Sequence, residues 1–513
     1  MNKKILPLLL APCFTNAAAD TWSPPIGIPV PEFGIEESHT MYSGNAAYKT
    51  GTDGPYSIYV DNTASNCSNM GPATAAKPRC DIPSDIDKPG TVVEIHGGPY
   101  EFNMSKPVFE VNGSKEKPVF IRGIDDGNGY PVIYNASTIG FQGQYFIMEQ
   151  LIFEKSALRS GAKGASKYGR NHIAMRNLEV RNHPLKNGSA IVGTDVVFYK
   201  NHVHHNQGDD RHGTTVAPGS ERVWIIDNYF HHNGGDAIQF CHRCKKAPPR
   251  NIYIGRNLMH SDRENGIDLK FGKDIVISEN TIYGYRRARP DEEWCFDDNS
   301  YCGTFSSGSD GSAIVVGSDG APGRPWIVAN NIFDSTQGIR IEEVREAWII
   351  GNNIHNIGQN VIALQKWGEA LHIIGNTMHG AKFGINQYWR DKFTLHVSGN
   401  IMSSISDEFL SVKHVVSDRS TLEDNLMWNG DDNVQLRWGR RYKEKPTEVA
   451  SAVEFGGSRN FVGDPQITRV DAKNISVSGG AETAAIRKKR LLEVDQKFKS
   501  IYGEDMSIVD AAD

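Results

Sequence analysis

One short pattern recurs along most of this chain and fixes the kind of architecture it can adopt: two apolar positions, an Asn, then another apolar position. "VWIIDNYF" ends at Phe230, "NIYIGRNLM" at Met259 and "DIVISENTI" at Ile282, and later copies read "WIVANNIF", "WIIGNNI", "HIIGNTM", "LHVSGNIM" and "TLEDNLM". The aligned residues are Asn177, Asn201, Asn228, Asn257, Asn280, Asn330, Asn352, Asn376, Asn400 and Asn425, spaced by 24, 27, 29, 23, 50, 22, 24, 24 and 25. Apolar residues two apart mark strands, because successive strand side chains point to opposite faces. A unit of two dozen residues cannot bury its own apolar face, so the copies must stack. The fixed leucine pattern of leucine-rich repeats is missing, and strand alternation excludes the helical repeats. From about Ile173 to Leu426 the chain therefore reads as an all-β solenoid, a right-handed parallel β-helix, with Asn hydrogen-bonded to Asn up the stack.

The step of 50 marks an insertion and not a lost rung, since "SAIVV" at Ser312–Val316 arrives about one repeat late. The intervening "YRRARPDEEWCFDDNSYCGTFSSGSD" is charged, aromatic and holds two cysteines, and a smaller excursion, "CHRCKKAPPR", leaves the same side earlier. Long loops on one face of a solenoid commonly build its binding site. Before the repeat, "YSIYVDNTAS", "TVVEIHGGPYEF", "KPVFIRG" and "PVIYNAS" read as irregular first rungs. After it, Ile486, Leu491, Leu492, Val494 and Phe498 have helical spacing and predict a helix that caps the open end or packs across it, or else a solvated tail. The expected division is a signal peptide at 1–19, an N-terminal extension at 20–55, the β-helix at 56–470 and a partly helical C-terminal tail at 471–513.

Lys3 and Lys4, the apolar run Ile5 to Phe14 and the small residues Ala17 to Ala19 follow the order of a secretory signal, which predicts a secreted or periplasmic protein. The run is too short to span a bilayer, and no later segment is long and apolar enough. Six cysteines follow that signal, and an even number in an oxidising compartment favours disulfides. Local pairing predicts Cys67–Cys80 and Cys295–Cys302; Cys241 and Cys244 resemble half a zinc site, but no second pair with that spacing exists. A net charge of -6 and the lack of a basic stripe with interleaved aromatics exclude nucleic acid as the expected partner.

Function on a solenoid must come from side chains on its outer surface. Eight residues after Asn201, Asn228 and Asn257 stand Asp209, Asp236 and Asn265, with Asp210, Glu264 and Asp268 nearby. In "ENGIDLKFG" Ile267 and Leu269 alternate inward, leaving Asp268 and Lys270 outward. Asp236 from one rung with Glu264, Asn265 and Asp268 from the next suit a hard cation, Ca2+ above all. The same residues also suit an Asn/Asp ladder capping tight turns. A histidine column, His204, His231 and His260, lies three residues after its ladder Asn, with His205 and His232 beside it and His355 and His379 higher up. It offers a proton donor or a transition-metal site; its continuation past Tyr283 and Phe333, far from the acids, favours aromatic stacking instead. His212, off that column beside Asp209 and Asp210, is the better general-acid candidate.

On "TVVEIHGGPYEF…NGSKEKPVFIRG" and the stacked repeat, the chain resembles the β-helical polysaccharide lyases. Its nearest looks are the family 9 pectate lyases and the family 6 alginate lyases and chondroitinase B. Asp236 followed by Glu264-Asn265-x-x-Asp268 keeps the spacing of the family 9 calcium cluster, with two conservative departures, but that family's catalytic Lys falls on Val315. Lys270, five residues after Asn265 and followed by "FGKDIVISEN", resembles the family 6 base. The Arg-His-Gly of that family is not at its expected place; Arg211-His212-Gly213 occurs upstream. The resemblance implies cleavage of a uronate-containing acidic polysaccharide by β-elimination, on a monomer, with Ca2+ as cofactor. In that chemistry a base removes the proton beside the carboxylate while a cation neutralises it. Lys270 is the candidate base and Arg340, outward in "GIRIEEV", the carboxylate clamp, with Arg286, Arg287 and Arg289 as rivals; Asp209, Asp210, Arg211, Arg286 and Arg287 are candidate substrate contacts. Two other readings stand beside it: a glycoside hydrolase pairing Asp209 or Asp210 with Asp236, and a non-catalytic glycan-binding surface protein.

Overall fold

A computed structural model describes residues 22–38, 56–161, 165–242, 244–317, 322–416, 418–430, 434–439, 441–443, 460–469, 471, 473–479 and 481–509. The expected signal peptide lies outside these residues, as does most of the segment joining the N-terminal extension to the first strand.

Each coil is built from three short strands, and each strand pairs in parallel with its counterpart one coil away. In one coil these are Glu221–Ile226, Tyr229–His231 and Ile238–Phe240; in the next, Arg250–Gly255, Leu258–His260 and Ile267–Leu269. The register sets Val223 against Ile252, Phe230 against Met259 and Ile238 against Ile267, so like residues stack inside. Those six side chains have no exposure at all. About 14 turns follow this plan. The irregular opening belongs to the stack as well: Tyr56–Asp61 pairs with Thr91–His96, and Thr91–His96 with Val119–Gly123.

The Asn residues hold the first corner. Asn228 donates its backbone N–H to Asn257 Oδ1 at 2.9 Å, and Asn257 does the same to Asn280 at 3.0 Å. Each side-chain amide also donates to a carbonyl below, as Asn257 Nδ2 does to Ile225 at 2.8 Å. These buried groups have no water to bond, so a short amide at this place satisfies the corner. The residue before each Asn has a left-handed backbone: φ is 56° at Asp227, 50° at Arg256 and 67° at Gly375. The ladder begins at Asn201, one step later than the repeat predicts. Leu178 occupies the rung below it and donates to Asn201 Oδ1, while Asn177 sits in the left-handed position. At the other end the ladder runs on to Asn460.

Across the 50-residue step the ladder is unbroken, with Asn280 donating to Asn330 Oδ1 at 3.0 Å. Ser312–Val316 pairs directly with Ile267–Leu269, so the residues between Tyr283 and Ser312 loop outward from a single coil. That excursion carries an antiparallel pair, Glu293–Cys295 with Cys302–Thr304, closed by the Cys295–Cys302 disulfide. Cys67–Cys80 is also formed, and Cys241 bonds Cys244, which removes the half zinc site.

The C-terminal helix Ala481–Tyr502 neither caps the open end nor floats free. It lies along the side of the stack, where Leu491, Val494 and Phe498 join Trp326, Trp348 and Ile350 in a second apolar cluster. Ile28 and Phe33 of the N-terminal extension enter the same cluster. Leu491 approaches to 3.0 Å of where a Cβ on Gly375 would stand, so the left-handed corner glycine also admits the helix. Leu492, expected on the apolar face, points to solvent at 47% exposure, because the helix buries only one narrow stripe. Among the described residues no helix is long and apolar enough to cross a membrane.

Candidate active site

The third corner of the coils carries a ladder of its own, running the opposite way. Asn187 Oδ1 accepts the His212 N–H at 3.1 Å, and His212 Nδ1 accepts the Asp236 N–H at 2.9 Å. Asp236 Oδ1 accepts the Asn265 N–H at 3.1 Å, and Asn265 Oδ1 accepts the Ser312 N–H at 3.2 Å. His212, not Asp209, holds the place below Asp236, because it comes eleven residues after Asn201, whereas Asp236 and Asn265 come eight after theirs. Asp209 sits instead on the longer turn so created, where Ser307 Oγ donates to it at 2.7 Å and Ser306 binds its other oxygen.

Beside this corner the following strand presents one outward column, Gln239, Asp268, Val315 and Arg340, in register from coil to coil. Val315, where family 9 keeps its lysine, is fully buried in that column. The inserted loop folds back over it and forms the opposite wall. The cleft between them has a volume of about 890 Å³, with Lys270 and Arg340 on the floor and Arg287, Arg289, Ser307 and Asp310 on the wall. Asp209, Asp210, Arg211, Glu264, Asn265 and Asp268 line it as well.

Each acid of the cleft is matched. Lys270 Nζ lies 2.6 Å from Asp268, and Arg340 lies 2.9 Å from Asp310 and 3.3 Å from Glu342. Glu264 Oε1 lies 2.7 Å from Ser307 Oγ, whose one hydrogen goes to Asp209, so a protonated Glu264 is the donor of this pair. Burial and then the charge of Asp236 push the Glu264 carboxyl well above the usual carboxylate range. Asp210 goes the other way: burial opposes it, but the hydrogen bond from His212, 3.1 Å away, holds its pKa down. By contrast, Arg211, Arg287 and Arg289 have no carboxylate within ion-pair distance among the described residues.

His212 is buried beneath the floor and reaches the cleft only through Asp210. Burial lowers its pKa, whereas the carboxylates of Asp210 and Asp236, 3.1 and 3.2 Å from its two nitrogens, act to raise it. The Asp236 N–H disagrees, because it aims into Nδ1 and an imidazolium has no lone pair there. The backbone cannot turn that N–H away, so the neutral tautomer is assigned, with Nε2–H donating to Asp210. His212 is thus a positioning residue for Asp210 and not an acid in contact with substrate. Arg286 is also turned from the cleft, held 2.9 Å from Asp334, and Arg289 takes the place expected of it.

The residues do not fit the calcium ion that the resemblance implies. Asp236 is fully buried; its Oδ1 takes two hydrogen bonds from Asn265, and its Oδ2 accepts from Gln239 at 3.2 Å. Asn265 Oδ1 is committed to Ser312. In this part of the fold the acidic and imidazole atoms within 4.8 Å of one another belong to Asp210, His212 and Glu264, and that group leaves out Asp236 and Asp268. The Asp236–Asn265 pair caps a corner, the second of the two readings the sequence allows.

Comparison with known proteins bears on the scaffold. Residues 219–402 match the family model of the right-handed β-helix region. The solenoid is of that kind. No curated protein matches the chain. Among solved structures, a mannuronic acid-specific polysaccharide family 6 lyase from human gut microbiota is 13% identical at a TM-score of 0.46, over 80% of this chain and 92% of that one. Pectate lyase Pel9A is 10% identical at 0.36, over 83% and 90%. The GH136 lacto-N-biosidase from Eubacterium ramulus, a different kind of enzyme, is 11% identical at 0.35, over 79% and 67%.

Proposed function

We propose that the protein is an exported enzyme that binds an acidic polysaccharide in this cleft and cleaves it by β-elimination. One observation carries the reading: among the described residues Arg211, Arg287 and Arg289 line the cleft with no carboxylate within ion-pair distance, while its acids are each held by a hydrogen bond or an ion pair. Three guanidinium groups in that state suit the repeated carboxylates of a uronate chain, which a guanidinium binds through two parallel hydrogen bonds. The three disulfides agree with an oxidising compartment.

In this reading Arg340 neutralises the substrate carboxylate, which acidifies the neighbouring C–H. Its Nε, buried on the cleft floor, has no partner of its own. Lys270 removes that proton, with Asp268, 2.6 Å from Nζ, orienting its amine. As the C–O bond to the leaving sugar breaks, Glu264, kept protonated by burial, supplies the proton the departing oxygen requires. Elimination leaves a double bond conjugated to a carboxylate, which absorbs in the ultraviolet.

Screening alginate, pectate and glycosaminoglycans for ultraviolet-absorbing products tests this directly. One of them should yield such products, and Lys270→Ala should lower kcat by roughly 10²–10⁴-fold. Products without absorbance, or full activity in Lys270→Ala, would exclude the mechanism. A second reading has its own support. Asp210 and Glu264 approach within 4.8 Å and their pKa values are driven apart, as in the acid and nucleophile of a retaining glycosidase. Saturated reducing sugars in the same assay would favour it.

A further inference from the structure

Two pairs of imidazoles stand on consecutive coils outside the cleft, beneath the inserted loop. His204 and His205 end one strand, and His231 and His232 the next; His205 and His232 have φ of 55° and 54°, which turns each ring back on its neighbour. Within each pair the Nδ1 atoms face each other at 2.6 Å. The pairs are stacked ring on ring, His204 over His231 at 4.9 Å and His205 over His232 at 5.0 Å.

What lies behind the rings fixes their protons. His204 Nε2 is 3.2 Å from Glu179, His205 Nε2 is 2.7 Å from Asp298, and His232 Nε2 is bonded to Asp297. A carboxylate accepts, so each Nε2 carries the hydrogen and each Nδ1 keeps its lone pair. Two neutral rings so held set lone pairs face to face, a repulsion that a shared proton or a nearby metal ion relieves. His231 shares a proton with His202 at 2.7 Å, and a hydrogen on His231 Nε2 leaves its Nδ1 free to donate as well. Imidazoles whose far nitrogen is held by a carboxylate are the usual form of metal-binding histidine.

We propose that His205, His231 and His232 bind a divalent transition-metal ion, and that this ion pins the inserted loop to the solenoid. Ligand atoms of the first three lie within 4.8 Å of one another, and an all-imidazole set suits zinc, nickel or copper and not calcium. The triad His202, His204 and His231 is equally compact, but among the described residues no carboxylate is hydrogen-bonded to His202. The loop supplies both Asp297 and Asp298, and its Phe296 covers the site, edge-on to His205 and His232 at 5.8 and 5.6 Å. Because the same loop builds the cleft wall, the ion would hold that wall in place.

The test is calorimetric titration of chelator-stripped, tag-free, full-length protein with Zn2+. One equivalent should bind, and His205→Ala and His232→Ala should each weaken binding by more than 100-fold. Asp297 is 68% exposed on the loop, so the double variant Asp297→Asn/Asp298→Asn should fold normally. It should lose 10–100-fold in affinity, as second-sphere changes do. No stoichiometric uptake by the wild type, or undiminished affinity in either the folded histidine variants or the double aspartate variant, would overturn the site.

Discussion

Single side chains in this protein are placed by what the coil below and the coil above leave unsatisfied. Asp262 is the clearest case. It continues the column of Asn206 and Asn233, accepting the Asn233 N–H at 2.9 Å and the Tyr285 hydroxyl at 2.8 Å, and it is fully buried. Burial pushes its carboxyl up to about 7, against the opposing hydrogen bonds. A carboxyl raised on folding binds its proton more tightly in the native state, so its contribution is complete at low pH and is lost as pH rises through about 7. Asp262→Asn, which restores the residue type of the coils below, should change little at pH 5. At pH 8 it should stabilise the protein by roughly 2 kcal/mol or more, read as the difference between urea unfolding curves at the two pH values. A variant no more stable at pH 8 than the wild type would show that Asp262 ionises without penalty.

At the scale of elements, the strands follow from alternation alone, but the attached pieces depend on which outer face is left apolar. Trp326, Trp348 and Ile350 lie on outward positions of one side, and helix Ala481–Tyr502 covers them. Its five apolar residues were readable as a helix from spacing, yet their spacing could not say that a wall and not an end receives them. Leu491 fills the centre of that contact and has no exposure. Leu491→Ala should cost about 2–5 kcal/mol of stability, measured by urea unfolding, with earlier proteolysis of the tail. Leu492→Ala, one residue on but exposed, is the control and should have little effect. The insertion is likewise legible as an excursion from the doubled step, whereas its fold-back onto the floor through Ser306 and Ser307 is not, since nothing in it is periodic.

Over the whole molecule the net charge is -6, yet Arg211, Lys270, Arg287, Arg289 and Arg340 converge on one cleft. If the cleft holds a polyanion, the attraction is partly exposed and therefore screened, the Debye length being about 10 Å at 0.1 M salt. Raising salt to about 0.5 M should raise KM for the polymer roughly tenfold, and Arg287→Ala/Arg289→Ala should flatten that dependence. A KM indifferent to salt would point to a neutral glycan. Tyr388 and Trp389, 50% and 61% exposed, lie beyond the cleft, where sugar rings of a longer chain could stack on them.

The order of residues alone determined the solenoid, its coil length, the side from which the loops leave and the interior alternation, because a stack repeats one local rule and needs no distant information. Its departures from that rule were decided only by the folded chain. An extra stretch of turn moved His212 into the column and Asp209 out of it; corner capping consumed Asp236 and Asn265; the returning loop chose Arg289 over Arg286. Each of these depends on how a non-repeating segment meets atoms far away in sequence, and periodicity carries no record of such meetings.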